Sequence, residues 1–139
     1  MSGSKPLVMG QPLADLMIVK GILDSLDNKN TNRKYLQAQA GYHLQQAAEK
    51  MIKIQIYDSG KPVKNDKIYK HSLPALIDYA DELGIGLMVP DYIRNNVEVI
   101  SSWEAEGRYD VHVVVRKDRL TRTYKEIEQW FYELRKAGH

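Results

Sequence analysis

Residues 31 to 58, TNRKYLQAQAGYHLQQAAEKMIKIQIYD, constrain the fold more than any other stretch of this chain. Leu36, Ala40, Leu44, Ala47, Met51 and Ile54 recur at steps of three and four, which places them on one stripe of a helix. Between residues 33 and 57 there is no proline and a single glycine, Gly41. A helix over these 28 residues would be about 42 Å long. That is long for a chain of 139 residues, so the other elements are expected to pack along it. Within it lies a dense polar group: His43, Gln45, Gln46, Glu49, Lys50 and Lys53.

The flanking sequence reads as further helices. Leu16, Val19, Leu23 and Leu26 predict a first helix over 12–26, with Pro12 near its start and Gly21 as a weak point. The polar turn 27–32 follows, and Thr31 or Asn32 is placed to cap the long helix. Residues 61–70 form a basic loop with four lysines and one aspartate, read either as a solvated segment or as a rim that attracts phosphate. Ser72 as cap, Pro74 in the first turn and Gly84 with Gly86 at the end delimit a third helix. Pro90 and Asp91 open a fourth, with Ile93, Val97 and Ile100 facing inward and Gly107 as its stop. Val111, Val113, Val114 and Val115 favour an extended connector over 108–116. A last helix over 118–136 carries Leu120, Tyr124, Ile127, Phe131 and Leu134 on one stripe. Thr123 and Glu126 resemble a capping box, and Trp130, beside the stripe, is expected to face a partner subunit. The expected architecture is all-α: an antiparallel up-and-down bundle of about five helices over 12–136, preceded by a flexible segment 1–11.

Composition narrows the function classes. The chain has no cysteine, which removes disulfides, thiol catalysis and cysteine metal sites and fits a cytoplasmic protein. A net charge of +2 does not by itself imply a nucleic acid or a membrane. No apolar run approaches the roughly 18 residues of a membrane span. Nine tyrosines against one phenylalanine favour half-buried clefts and interfaces. The four histidines, at 43, 71, 112 and 139, show neither the i, i+4 pair nor the HExxH of a helical zinc site, so no metal and no cofactor is expected. Single residues keep two readings each. His43 is a helix-packing histidine or a catalytic one; Glu49 and Lys53, four apart, are a surface ion pair or part of a site. Arg108 binds phosphate or bridges to an acidic side chain.

Three motifs carry a resemblance. Tyr42 to Lys53, YHLQQAAEKMIK, resembles the central helix of HEPN domains with its Gln-x-x-Glu-Lys-x-x-Lys core. His71-Ser72-Leu73 resembles the start of that family's next helix. Arg108-Tyr109 resembles its later Arg-Tyr element, ahead of the closing helix. Order and spacing agree over roughly 12–136. The resemblance implies a helical bundle that commonly forms a homodimer. It further implies either a nucleotide-binding partner subunit of a minimal nucleotidyltransferase, in toxin–antitoxin-like pairs, or a metal-independent ribonuclease with an Arg-x(4–6)-His motif. That motif is absent: Arg108 and His112 leave three residues between them, and Arg33 and His43 leave nine.

The resulting expectation is a binding module in which Lys50, Lys53, His71 and Arg108 contact phosphate and Tyr109 stacks or hydrogen-bonds. His43, Gln46, Glu49 and His112 complete the candidate cluster. The alternatives are a ribonuclease that uses His112 or His43 with Arg108, and a purely structural dimer with Trp130, Phe131 and Tyr132 in its interface.

Overall fold

A computed structural model describes residues 7–26, 33–109 and 115–139, with side chains throughout except at 105–109. The described residues are all-helical: α1 (Gly10–Ser25), α2 (Arg33–Asp58), α3 (Asn65–Ile68), α4 (Leu73–Leu83), α5 (Asp91–Asn95), α6 (Val97–Tyr109) and α7 (Lys117–Lys136). The capping positions Thr31 and Asn32 lie outside them, as do residues 110–114 of the expected connector.

α2 is the centre, touched by α1, α4, α6 and α7. Its stripe residues Ala40, Leu44, Ala47, Met51 and Ile54 are all buried. Burial is wider than one stripe, because Met51, Ile52, Lys53, Ile54, Gln55 and Ile56 are buried in succession. Six consecutive helical positions cover every direction around the axis, so this half of α2 is enclosed on all sides. Polar side chains there must find partners inside the protein. Gln55 does so with a backbone segment: its Nε2 donates to the Met88 carbonyl at 3.0 Å, and its Oε1 accepts from the Met88 N–H at 2.8 Å. Near the other end, Gly41 lets α6 approach closely. A Cβ there would sit 3.4 Å from the Trp103 ring.

The remaining elements follow local sequence. α1 buries Leu16, Val19 and Leu23 but leaves Met17 and Ile18 exposed on its outer side. It starts at Gly10, and Met9 ahead of it is buried. Ser72 Oγ caps α4 by accepting from Ala75 N–H at 3.3 Å, and Gly84 ends it in the left-handed region at φ 66°. The basic loop contains the short α3, and Ile68 anchors it in the core.

Four expectations change. The helix read over 91–107 breaks at Asn96, whose Nδ2 turns back to the Tyr92 carbonyl at 2.8 Å. α6 then runs through Gly107 to Tyr109, so residues 108 and 109 are helical rather than extended. Thr123 is no cap: α7 begins at Lys117, and Thr123 lies buried in its second turn with Oγ1 3.0 Å from the Tyr92 hydroxyl. Trp130 does not face outward. It is fully buried within the chain and donates its indole N–H to the Met88 carbonyl at 2.7 Å.

Candidate functional site

The polar group of α2 folds into two knots. In the first, Asp15 of α1 is buried and accepts from both His43 Nδ1 at 2.8 Å and Lys50 Nζ at 2.7 Å. His43 and Lys50 stand seven positions apart, two turns of one helix, so a single carboxylate on the neighbouring helix reaches both. In the second, Glu49 is buried and meets Lys53 Nζ at 3.1 Å, Gln45 Nε2 at 3.2 Å and His71 Nδ1 at 3.2 Å. Gln45 also donates to the His71 carbonyl at 3.0 Å, and Gln46 donates to Gln45 Oε1 at 2.8 Å. The expected Glu49–Lys53 pair thus exists, but it is buried, with side-chain exposures of 6% and 10%.

This has a chemical consequence. Lys50 and Lys53 are compensated by carboxylates, and a buried pair is expensive to separate. A phosphate at either lysine would have to displace Asp15 or Glu49. His43 is held by Asp15. His71 is the most accessible member, with 58% of its side chain exposed. The Arg108 and Tyr109 backbones close α6, but their side chains and all of His112 lie outside the described residues.

A different surface concentrates positive charge in the open. An open cleft of about 750 Å³ lies where the start of α7 meets α2. Its walls are Gln37, Arg116, Lys117, Asp118, Thr121, Arg122 and Lys125. Four cations face one carboxylate there. Arg122 is shared: its Nε lies 3.1 Å from Glu126 and its guanidinium sits 4.6 Å from the Tyr92 ring centroid. Arg116 pairs only loosely with Asp118, at 3.5 Å, both largely exposed. Exposed pairs of this kind exchange partners at little cost. The first turn of α7 adds its own positive end to the same cleft.

These residues are not among the candidates that the sequence singles out, although their signal is present. Arg116, Arg119, Arg122 and Lys125 recur every three positions, and Lys117 and Lys125 are two helical turns apart. The apolar stripe of the same helix, which decides its packing, hides them. Among the described residues no group of three or more histidines, aspartates and glutamates converges on one point, and no helix is long and apolar enough to cross a membrane.

The described residues form an all-α fold with a cation-lined cleft on its surface. Comparison with family models, with characterised proteins and with solved structures gives no match.

Proposed function

We propose that the chain is a HEPN-type binding module, a bundle of about five principal helices in up-and-down order, whose ligand is a nucleotide. Its phosphates are held by the α7 cations Arg116, Lys117, Arg122 and Lys125, not by the lysines of α2. One observation carries this reading: four cations and one carboxylate line an open cleft where the Arg116 and Arg122 ion pairs are solvent-exposed, while Lys50 and Lys53 of α2 are held by buried carboxylates. Arginine suits the task because its planar guanidinium matches two phosphate oxygens at once. The resemblance adds a homodimer and a minimal nucleotidyltransferase as the companion protein.

The test is thermal unfolding against nucleoside mono-, di- and triphosphates and inorganic triphosphate. A ligand at 100 times its Kd stabilises by about 2.7 kcal/mol, a rise on the order of 10 °C for a domain of this size. The shift should vanish in the double variant Arg122→Ala/Lys125→Ala and persist in Lys53→Met. No shift with any phosphate compound removes the reading. RNA degraded by the purified protein, and spared by Arg108→Ala, would restore the ribonuclease alternative.

A further inference from the structure

The cationic cleft does not end at Lys125. A smaller hollow, lined by Lys20, Asp24, Lys117, Thr121, Tyr124 and Lys125 among others, shares Lys117, Thr121 and Lys125 with it. That hollow in turn shares Lys20, Asp24 and Tyr124 with a groove of about 390 Å³ between α1 and α7. The three hollows follow one another along α7 through shared walls, cationic at the helix start and more apolar further on. The apolar part is walled by Leu16 and Met17 of α1 and by Tyr124, Phe131 and Tyr132 of α7. Gly21 leaves its α1 wall open, with nothing within 4 Å of where a Cβ would stand. One charged group of α7 faces this part: Glu128, whose Oε2 accepts from the Tyr124 hydroxyl at 2.8 Å. The other carboxylate, Asp24, is already held by both its oxygens on Lys20, at 2.8 and 2.9 Å.

Resting on the phosphate reading above, we infer that the groove between α1 and α7 receives the base of the nucleotide, and that Glu128 selects guanine. Geometry sets the scale. Thr121, which lies midway between the phosphate-binding Lys117 and Lys125, and Glu128 are seven residues apart, roughly 10 Å along the helix. That matches the distance between a base edge and the phosphates of one nucleotide, so a single ligand spans both ends. A volume of this size, with apolar and aromatic walls and polar groups at Lys20, Asp24 and Glu128, is of the kind that holds a planar ring. Tyr132, 56% exposed, and Met17, 67% exposed, are the flat and polarisable surfaces against which the ring lies.

The choice of base follows from the carboxylate. It only accepts hydrogen bonds, and its two oxygens have room for about four. Tyr124 uses one. Guanine presents a ring N–H and an amino N–H side by side on one edge, and both point at a carboxylate placed opposite. Adenine offers its amino group beside a ring-nitrogen lone pair, and uracil flanks its one N–H with carbonyl oxygens. Each of these sets a lone pair against the negative charge of Glu128.

The test compares affinities for GTP, ATP, UTP and inorganic triphosphate in the intact chain, in Glu128→Gln and in Gly21→Leu. The intact chain should bind GTP on the order of tenfold or more tighter than ATP, as expected for one bidentate base contact. Glu128→Gln should reduce that ratio to near unity and leave inorganic triphosphate binding unchanged. Gly21→Leu, at an open position, should bring GTP down to the affinity of inorganic triphosphate. Equal binding of all triphosphates by the intact chain overturns the base site but leaves the phosphate site standing. A GTP preference that survives Glu128→Gln also overturns it. Absence of binding by every compound, inorganic triphosphate included, overturns both.

Discussion

Asp15 of α1 and Lys50 of α2 meet at 2.7 Å across 35 positions of the chain. The carboxylate is buried and also receives His43, so it clamps one helix to two successive turns of the other. Asp15→Ala removes the acceptor and leaves two cationic or polar groups half-buried without it. Both are partly solvated, so the loss falls below that of a fully enclosed pair, at about 2 kcal/mol. In thermal unfolding this reads as a drop on the order of 5 to 10 °C. An unchanged midpoint would show that the clamp contributes nothing.

The enclosed pair behaves differently from the cleft. Lys53→Met keeps the stem volume but strands Glu49 with only Gln45 and His71, so stability should fall by about 2 to 3 kcal/mol. Arg122→Ala, at an exposed position, should cost no more than about 1 kcal/mol. Chemical denaturation of the two variants separates a structural lysine from a surface arginine.

Two glycines of the principal helices should respond in opposite senses. Gly21 is open, so Gly21→Ala gains helix propensity with no clash and should stabilise by about 0.5 to 1 kcal/mol. Gly41 is closed by Trp103, and a branched side chain there must push α6 away from α2. Gly41→Val should destabilise by about 2 kcal/mol or more. Melting curves of both variants, measured side by side, check the pair.

Alkaline stability carries the signature of Tyr124. Burial, followed by its hydrogen bond to Glu128, pushes its hydroxyl up to about 12 from the ordinary tyrosine value of 10.0. In the unfolded chain the phenol ionises near 10, so between pH 10 and 12 the folded state holds a proton that the unfolded state has lost. The contribution is therefore fully present below pH 10 and is lost as pH rises toward 12. Tyr124→Phe should show a shallower decline over that window in equilibrium unfolding. A decline as steep as in the parent chain would assign the effect to other tyrosines.

What could be read from the chain beforehand divides along a physical line. Leu36 to Ile54 announced α2 because apolar period is a local property, and Ser72 and Gly84 announced α4 because caps act within one turn. The break at Asn96 was invisible, since Ile93 and Val97 keep helical spacing across it. Thr123 and Glu126 imitated a cap because that spacing also occurs inside helices, where only burial tells the difference. Among the site residues, Glu49 and Lys53 were legible as a pair but not as an enclosed one. The link from Lys50 to Asp15, and the cation-rich wall of α7, arise from how separate helices meet, which no window of sequence contains.

Met88 sits outside any helix, yet its N–H ends on Gln55 and its carbonyl is shared by Gln55 and Trp130. A peptide group in a connecting strap ordinarily trades its proton with water quickly. This N–H is released only if the buried Gln55 lets go, and Gln55 is itself held, with Trp130, on the carbonyl of the same residue. Its amide proton should therefore exchange with deuterium as slowly as those at the heart of α2. A single resonance in an irregular segment would thus report whether the whole assembly of helices is intact.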